Sequence, residues 1–524
     1  MNNRKQNKSV VYETSKEWLK AKQDLLNWVA SQPKVHSIVS ELGIKPKHSG
    51  KFAFIPANLD LEAHLRNFPV TNYYFVEDCG GHIKTVNTNG TFGAVFDEER
   101  LIYLIGLIYS IPGRNKDLIS EDGFVSINSA ILRDFFKDYL SYLDYLLRTG
   151  IFITDSQYIV GKKSIGYKLS DTYCNSPLRT YIYRHSRENQ SHSAVIEAGN
   201  NYLLSWYNNN LQINASIALE YAERKYREKI AGGVDTWDYN RDTHQRKNPK
   251  LQYYAIRYNI ESIIQEDYKV KIDDTVHRLH SVLTNMQKDY RNFIKYDGRD
   301  LVSIDISNSQ PYLLCLLLNP LFWDKSSALA VNIGKLPANV QNLFSEEDLS
   351  SLQAYVYRIR HDEKVNEYIH YASEGHIYEY MLERTRENGE EYQRKDMKIM
   401  ILMTFFSDNK FLNQPGAKLK KLFKLSFPKI YGLIHAIKKG RDGKKKLAVL
   451  LQSIESTIVL QICCKKIWEE NAHQVPIFTI HDSICTTLEY EDLVFNVMTT
   501  TLNDIVQVTP NLKKEYWTPR NLSL

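Results

Sequence analysis

The chain has 524 residues, of which 43% are hydrophobic and 24% are charged, and it contains only 23 glycines and 15 prolines. This is the composition of an ordinary globular protein, and it excludes disordered, collagen-like and disulfide-scaffold proteins. The formal net charge of +6 is modest for a chain of this length, so local clusters of Lys and Arg say more about binding partners than the total charge does.

The cysteines and the apolar segments indicate a cytoplasmic protein. The six cysteines show no C-x-x-C spacing and lie mostly in apolar segments, which is typical of reduced, buried thiols and argues against a zinc site. The longest apolar runs, residues 312–318 and 400–406, are far shorter than the roughly 18 residues of a membrane span. No apolar segment follows the charged N-terminal residues before Glu13, so we expect neither a secretory signal nor a membrane partner.

The N-terminal region, residues 1–95, is predicted to open with an amphipathic helix. Apolar side chains recur at helical spacing over residues 15–31, including Trp18, Leu25 and Trp28. The rest of the region is irregular and rich in Gly and Asn, so no fold is assigned to it.

Residues 96–175 show the order of elements of a winged helix-turn-helix module. Three helices are predicted there, over residues 101–111, 126–136 and 139–148. Ser126 is the expected N-cap of the second helix, and Gly150 is expected just after the end of the third. Two β-rich runs follow, at residues 151–154 and 164–169, and predict a hairpin.

The tip between these β-rich runs carries Lys162 and Lys163. Both would contact phosphate if the third helix enters a major groove of DNA. The third helix offers few basic residues, however, so a small helical subdomain used for packing or for protein contacts is the alternative.

Residues 176–272 are predicted to form a helical connecting lobe. Helical apolar spacing covers residues 215–230 and 251–266, and a polar, charged stretch lies between them. Such a segment would suit a thumb-like lobe.

Two segments place an aspartate at the end of an apolar strand. Residues 301–305 form a β-branched, apolar run that ends in Asp305, and a helix is predicted after it. Residues 477–487 have the pattern of a β-hairpin with Asp482 at its turn. Taken singly, such an aspartate is more often a cap or turn former. On adjacent strands, however, the two carboxylates repel each other unless a divalent cation bridges them, and two Mg²⁺ ions are the apparatus of in-line phosphoryl displacement.

Between these two segments lies a predicted helix with a stripe of chemically useful side chains. Arg394, Lys398, Leu402 and Phe406 are spaced four residues apart and therefore share one face of a helix. The stripe offers two cations for a triphosphate and then an aromatic plate for a base or sugar. The alternative is the solvated cationic end of a core helix.

In this order, the three segments resemble motifs A, B and C of family A polymerases and of the related phage-type single-subunit RNA polymerases. The matching residues are Asp305 and Ser307, Arg394, Lys398 and Phe406, and His481 and Asp482. Two further segments are similar to family A segments, namely residues 275–287 with Arg278 and residues 450–456 with Gln452. The resemblance covers residues 273–487.

The chain departs from both families at the end of motif B. Phe406 stands where they usually have Tyr, and Ser407 stands where they have Gly. The contacts that position a nucleotide there are therefore expected to differ from those of the families.

The resemblance implies an α+β fold in which residues 273–524 form a right-hand polymerase palm with helical fingers and thumb, after a mostly α-helical N-terminal region. It implies a template-directed nucleotidyltransferase, foremost a DNA polymerase in the replication of a plasmid, phage or mobile element. Its partners would be a DNA template-primer duplex and dNTPs. Two alternatives stay open: a single-subunit DNA-dependent RNA polymerase, with NTPs or an RNA template, and a DNA-binding replication initiator or regulator with an inactive palm.

The resemblance also implies roles for individual residues. Asp305 and Asp482 would be catalytic and would hold two Mg²⁺ ions, with Mn²⁺ as the other candidate metal. Arg394 and Lys398 would neutralise the β- and γ-phosphates of the nucleotide.

Further implied roles concern the nucleotide pocket and the primer. The sugar and base pocket would be lined by Gln310, Leu402 and Phe406, and the primer or template end would be contacted by Arg278, Gln452 and His481. Gln310 stands five residues after Asp305, where family A DNA polymerases have Glu and the RNA polymerases have Gly. Because Gln is nearly isosteric with Glu, deoxynucleotides are the expected substrates.

Residues 418–446 form a basic stretch with eleven Lys and Arg and one acid, Asp442, interleaved with Leu, Phe and Tyr. The enclosing motifs favour contact with a phosphate backbone. The lysines expected to make this contact are Lys420, Lys421, Lys438 and Lys439. A solvated helix face is the alternative.

Overall fold

A computed structural model describes residues 51–70, 72–78, 83–89, 96–160, 163–183, 200–233, 238–240, 245–387, 391–440 and 443–522. These residues combine α-helices with antiparallel β-sheets, in agreement with the predicted α+β class. The predicted helix over residues 15–31 and the predicted contact residue Lys162 lie outside the described residues.

The chain divides into two compact units. The first comprises Met1–Glu188 and Ala218–Asp267, and the second comprises Asn189–Ile217 and Tyr268–Leu524. The residues predicted as a connecting lobe, 176–272, are therefore shared between the two units. The division into four segments stays a prediction.

The strands of the first unit are β1 (Phe52–Pro56), β2 (Asn72–Asp78), β3 (Ile83–Asn89), β4 (Val125–Ser126), β5 (Phe152–Thr154), β6 (Gly166–Leu169) and β7 (Leu178–Ile182). Its α-helices are α1 (Leu61–Asn67), α2 (Glu98–Arg114), α3 (Ser129–Phe135), α4 (Tyr139–Arg148), α5 (Asp171–Cys174), α6 (Ala215–Ile230), which begins at the boundary, and α7 (Pro249–Ile264). Strands β2 and β3 form a separate antiparallel hairpin.

Helix α2 lies in the core of the first unit. Its residues Leu101, Leu104 and Ile105 are fully buried, because the helix packs against both β1 and α7. Gly106 permits the close approach to β1, since a Cβ at this position would lie 2.7 Å from the Cβ of Ala53. Strand β1 in turn pairs antiparallel with β7.

The predicted helices and hairpin between residues 96 and 175 are present as α2, α3, α4, β5 and β6. The two hairpin strands form a three-stranded sheet with β4, in the order β4-β6-β5. The predicted N-cap of the second helix is wrong, because Ser126 ends strand β4. The cap is Asn128, whose side chain accepts a hydrogen bond from the backbone N–H of Ala130 at 2.8 Å. Gly150 follows α4 with a φ of +77°, a conformation that favours glycine.

The strands of the second unit are β8 (Leu211–Ile213), β9 (Lys271–Ile272), β10 (Leu279–His280), β11 (Ile294–Tyr296), β12 (Arg299–Ile306), β13 (Phe478–Ile480), β14 (Ser483–Thr487) and β15 (Leu512–Trp517). Its α-helices are α8 (Val282–Asn285), α9 (Lys288–Arg291), α10 (Ser309–Leu317), α11 (Ala338–Gln341), α12 (Glu346–Ile359), α13 (Glu363–Ser373), α14 (Ile377–Glu387), α15 (Arg394–Phe406), α16 (Lys418–Ser426), α17 (Pro428–Ile437), α18 (Gly443–Ser456), α19 (Lys465–Glu470) and α20 (Glu491–Val506). A π-helical stretch, Thr457–Cys464, joins α18 to α19.

Strand β12 is the centre of the main antiparallel sheet of the second unit. It pairs with β11, β14 and β15, and the sheet continues through β13 and β8. Val302 and Ile304 in this strand are fully buried, and helix α20 packs against the strand. The carboxyl group of Asp305 is therefore carried by a strand that is fixed by its neighbours.

The helix that runs through α18, the π-helical stretch and α19 is long and apolar. Its 28 residues, Gly443–Glu470, reach a mean hydropathy of 1.7 in their most apolar window, which is enough to cross a membrane by length and composition. However, 67% of that window is buried inside the protein, for example at Leu447, Leu450 and Ile454. Packing in the core accounts for its apolar character, so the helix is weak evidence for a membrane span.

Candidate active site

Asp305 and Asp482 lie side by side at the ends of paired strands. Strands β12 and β14 pair so that Asp305 is opposite Ser483, the residue after Asp482. The predicted hairpin is present as β13 and β14, and the residues between the strands are His481 and Asp482. The φ of His481 is +55°, a left-handed backbone conformation that strains a residue with a side chain and clusters at functional sites. The structure thus brings together the two acids that the sequence predicts to act as a pair.

The electrostatics of this acid pair favour a bound cation. Burial, followed by the charge of Asp482 and a hydrogen bond shared with it, raises the pKa of Asp305 well above its ordinary value. Glu515 on strand β15 adds further negative charge, and Lys288 opposes this effect. Lys288 also forms an ion pair with Glu515, with an N–O distance of 2.7 Å. Two acids held this close are stabilised by a shared proton or by a metal cation.

Asp305 and Asp482 fit a Mg²⁺ site of the kind that a substrate completes. Carboxylate oxygens are ligands that Mg²⁺ prefers, and it is commonly held by one or two carboxylates together with waters and substrate phosphates. Within the described ranges, no group of three or more His, Cys, Asp or Glu side chains could hold a metal ion by itself. A Mg²⁺ ion at the acid pair would therefore take its remaining ligands from water or from a phosphate.

A buried glutamate connects two of the predicted site residues. Glu455 lies on α18 and is 1% exposed. Its Oε1 accepts a hydrogen bond from Nη2 of Arg278 at 2.5 Å, and its Oε2 accepts one from Nε2 of Gln310 at 2.7 Å. Burial, and then the charge of Asp482, raises the pKa of Glu455 to about 7, although Arg278 opposes this shift. The influence of Asp482 places this network close to the acid pair.

The contact with Glu455 fixes the side-chain amide of Gln310. When Glu455 is ionised, its carboxylate only accepts hydrogen bonds, so Nε2 of Gln310 then faces Glu455. The other amide atom, Oε1, is buried and has no hydrogen-bond partner within the described structure. Such an acceptor costs about 1–3 kcal/mol, and a donor on a ligand would remove that cost. Gln310 therefore presents an acceptor at the position that the sequence assigns to the sugar pocket.

His481 lies beside Arg278 and His280. The imidazole rings of His280 and His481 are 6.4 Å apart, and Nε2 of His280 lies 3.1 Å from Oδ2 of Asp273. Surrounding protein atoms, and then the charge of Arg278, lower the pKa of His481 to about 4. At neutral pH, His481 is therefore an uncharged imidazole in the turn between β13 and β14, where one ring nitrogen can donate a hydrogen bond and the other can accept one.

The predicted stripe on α15 is accessible along one face of the helix. Arg394 and Lys398 are exposed, Leu402 is 42% exposed and Phe406 is half-buried. Met397, one residue before Lys398, is fully buried. The structure thus brings the four predicted residues onto one outward face, with the cations at the N-terminal end of the helix and the apolar side chains at the other.

Tyr378 connects the cationic end of α15 electrostatically to the acid pair. Nε of Arg394 donates a hydrogen bond to Oε1 of Glu379 at 2.6 Å, and the guanidinium lies 5.0 Å from the ring centre of Tyr378. Burial raises the pKa of Glu379, but the hydrogen bond and charge of Arg394 outweigh it and leave that pKa below its ordinary value. Burial raises the pKa of Tyr378 to about 12. The charge of Arg394 opposes this shift, and the charges of Glu379 and Asp482 add to it. Tyr378 is therefore within electrostatic reach of both Arg394 and Asp482.

Two of the four lysines of the basic stretch that are predicted to contact nucleic acid are buried. Lys420 is 0% exposed and Lys438 is 4% exposed. Their ammonium groups donate hydrogen bonds to oxygens at the C-terminal end of α15. In this structure they contact protein and are not accessible to a phosphate backbone. Lys421 and Lys439 are exposed, and their contact with nucleic acid stays a prediction.

Gln452 and Lys163, which are also predicted to contact nucleic acid, do not belong to the network around the acid pair. Gln452 is half-buried on α18, and the side chain on this helix that contacts Arg278 is Glu455. Lys163 forms an ion pair with Asp155, with an N–O distance of 2.8 Å. Contact of Gln452 or Lys163 with nucleic acid stays a prediction.

Three residues near the acid pair are missed by the sequence patterns, namely Glu455, Tyr378 and Glu515. Glu455 carries a usable signal, because it follows Gln452 by three residues and therefore shares a helix face with it. Glu515 carries none, because it approaches Asp305 only through the pairing of β15 with β12. Tyr378 likewise lies near the site only through the packing of α14 against α15.

No family model matches this sequence, and no curated protein sequence matches it. Among solved structures, the POL domain of Pol1 from M. smegmatis, in complex with a DNA primer-template and dNTP, is similar to this chain with a TM-score of 0.30 and 9% sequence identity. The similarity covers 62% of this chain and 70% of that chain. A TM-score this low does not establish a shared fold, so the function is inferred from the geometry of the site.

Proposed function

We propose that the chain is a template-directed nucleotidyltransferase, and that it acts as a DNA polymerase on a primer-template duplex and dNTPs. The observation that carries the proposal is the acid pair of Asp305 and Asp482, which Tyr378 connects electrostatically to the cationic end of α15. Nucleotidyl transfer needs a divalent cation at the reacting phosphate and positive charge for the other phosphates. The order of the sequence motifs supports the same function.

In this proposal the sheet around β12 is the palm, and the helices α12 to α17 contribute the fingers. The order α2, β4, α3, α4, β5, β6 in the first unit supports a winged-helix module. Helix α4 exposes Leu140, and its Arg148 and Asp144 pair with each other, with an N–O distance of 2.7 Å. At the hairpin, Lys163 is paired with Asp155. The pairing of Arg148 and Lys163 with acids reduces their attraction for a phosphate backbone, and together with the exposed Leu140 it favours contact with another protein.

The proposed reaction is the attack of a primer 3′-hydroxyl on the α-phosphorus of a dNTP. A bond forms between the 3′-oxygen and the α-phosphorus, the bond to the bridging oxygen of the β-phosphate breaks, pyrophosphate leaves, and the hydroxyl proton passes to water. Asp305 and Asp482 would hold Mg²⁺, which when bound supplies positive charge at the attacking and leaving oxygens. Arg394 and Lys398 would bind the β- and γ-phosphates and stabilise the departing pyrophosphate.

The remaining residues would hold the reactants in place. Arg394 is half-exposed and paired with Glu379, so it can exchange this carboxylate for a phosphate of similar geometry. Leu402 and Phe406 would contact the base and sugar, and Gln310 would meet the sugar. His481 would contact the primer terminus. Holding the two reactants in line supplies a large part of the catalysis in such displacements.

Primer extension tests the proposal, with Asp305→Asn and Asp482→Asn as the variants. Asp300→Asn is the matched control, because Asp300 lies at the other end of the same strand and pairs with Lys295, with an N–O distance of 3.0 Å. We expect each site variant to lose incorporation by about 100-fold or more, with primer-template binding, measured by fluorescence anisotropy, retained. The control should extend primers like the wild type.

Other outcomes would contradict the proposal. Incorporation at the wild-type rate by both site variants would remove the acid pair from the mechanism. Equal or better use of NTPs by the wild type, under the same Mg²⁺ concentration, would favour the RNA polymerase alternative. Specific DNA binding without incorporation on DNA and RNA templates would favour the replication initiator with an inactive palm.

A further inference from the structure

We propose that Lys420 and Lys438 are positioning residues that hold the C-terminal end of α15, and with it Leu402 and Phe406, in the orientation that an incoming nucleotide meets. The proposal rests on the function proposed above, because it assigns α15 to nucleotide binding. It gives two buried cations of the basic stretch a role that differs from contact with nucleic acid.

Lys438 is bonded to the end of α15 from the neighbouring helix. Its Nζ donates hydrogen bonds to the backbone carbonyl of Thr404 at 2.7 Å, of Phe405 at 3.3 Å and of Ser407 at 2.8 Å. The last carbonyls of an α-helix have no partner within the helix. In its charged form, Lys438 therefore satisfies two of these carbonyls and the carbonyl of the next residue, and it uses its three N–H donors to do so.

Lys420 binds the same end from helix α16. Its Nζ donates hydrogen bonds to Oγ of Ser407 at 3.0 Å and to the backbone carbonyl of Asp408 at 2.7 Å. A third contact comes from Asn409, whose Nδ2 donates to the backbone carbonyl of His435 at 3.0 Å. The segment that follows Phe406 is thus bonded to both α16 and α17.

Charge at these two positions is costly, which argues that it serves a purpose. Burial, and then the charge of Lys420, lowers the pKa of Lys438 to about 7. Burial likewise lowers the pKa of Lys420. An apolar side chain would fill the same space without this cost, but it could not satisfy carbonyl groups or complement the negative end of the helix dipole.

The two ammonium groups flank the peptide groups on both sides of Phe406. Thr404 and Phe405 precede it and are bonded to Lys438, whereas Ser407 and Asp408 follow it and are bonded to Lys420, with Ser407 also bonded to Lys438. The backbone that carries the Phe406 ring is therefore fixed, and Leu402 lies one turn before it on the same face. Loss of either ammonium group should loosen this face while leaving the acid pair in place.

The test compares Lys438→Met and Lys420→Met with Lys410→Met, in which an exposed lysine close to the end of α15 loses the same charge. Steady-state primer extension would give KM and kcat for dNTPs, anisotropy would give Kd for the primer-template, and amide hydrogen exchange would follow residues 403–409. For the two buried lysines we expect faster exchange in this segment and a KM raised by about fivefold or more, with kcat and the primer-template Kd within about twofold. Lys410→Met should match the wild type in all four measurements.

The opposite results would overturn the proposal. An unchanged KM with faster exchange would show that the lysines cap the helix without positioning a nucleotide. A weaker primer-template Kd with unchanged KM would restore the predicted contact with nucleic acid.

If Lys438→Met does not fold, as judged by its thermal unfolding, Lys438→Gln keeps an N–H donor and is expected to raise KM less than Lys420→Met does.

Failure of the proposed function can be distinguished from failure of this inference. If the wild type incorporates no nucleotide, the polymerase assignment fails at that step. The Kd of the fluorescent nucleotide mant-dATP then decides the positioning role: we expect weaker binding by Lys438→Met and Lys420→Met than by Lys410→Met. Equal binding by all three would overturn it.

Discussion

Glu455→Gln is expected to gain stability relative to the wild type as the pH rises from about 4.5 to about 7. In the wild type, burial and the charge of Asp482 raise the pKa of Glu455 from 4.5 to about 7. At about 1.4 kcal/mol per pH unit, this difference corresponds to a loss of about 3 kcal/mol of folding free energy between the two pKa values. The substituted amide does not titrate, it can still accept a hydrogen bond from Arg278, and it removes this loss.

The direction of the effect follows from proton binding. Between about pH 4.5 and pH 7, the folded wild type holds a proton on Glu455 that the unfolded chain has released, so its stability falls as the pH rises. Above this range the penalty is complete. The result would show that the ion pair with Arg278 does not compensate for the burial of this carboxylate, as is common for buried ion pairs.

Urea unfolding of both proteins between pH 4.5 and pH 8, without divalent cations, measures this effect. Glu379→Gln is the control, because the folded pKa of Glu379 is lowered from 4.5 and its stability difference from the wild type should therefore not change between pH 4.5 and pH 8. The stability contributed by Glu379 is present above its unfolded pKa and is lost as the pH falls through its folded pKa. A stability difference between Glu455→Gln and the wild type that does not change with pH, or that changes in favour of the wild type, would refute the reasoning.

Two further predictions concern the sugar and the first unit. Gln310→Gly is expected to reduce the preference for dNTPs over NTPs by about tenfold to a hundredfold, because it removes the bulk that closes the pocket to a 2′-hydroxyl. Competition between dNTPs and NTPs in primer extension measures this preference. An unchanged ratio would exclude Gln310 as the residue that selects the sugar. Lys163→Ala is expected to destabilise the hairpin by removing the partner of Asp155, with little change in the salt dependence of duplex binding. A salt slope reduced by about one would instead indicate a phosphate contact.

Local sequence patterns were sufficient for the elements that carry the acid pair. An apolar, β-branched run before Asp305 predicts a buried strand, and the hairpin pattern around Asp482 predicts the turn on which it stands. Both are present, as β12 and as β13 with β14. The four-residue spacing from Arg394 to Phe406 likewise predicts one helix face. These features depend on periodicity within a few residues, which a sequence shows directly.

Long-range pairing is the part that local patterns could not supply. Strand β15, near the end of the sequence, pairs with β12 and brings Glu515 toward Asp305. Strand β8 joins the same sheet by pairing with β11, although β8 precedes β11 by about 80 residues in the sequence. The sequences of the short strands Leu211–Ile213 and Leu512–Trp517 do not indicate which strands they pair with. The same holds for the two compact units, since the chain passes from one to the other more than once.

The basic stretch shows why composition alone could not assign the lysines. Lys420 and Lys421 are neighbours in sequence, as are Lys438 and Lys439, yet the first member of each pair is buried and the second is exposed. Lys420 and Lys421 lie on α16, where adjacent residues point about 100° apart, so the first reaches the end of α15 while the second faces solvent. A count of the cations in the sequence does not distinguish the buried lysines from the exposed ones. The buried lysines Lys420 and Lys438 have their donors committed to oxygens of the protein, so any attraction for a phosphate backbone must come from the other cations of the stretch.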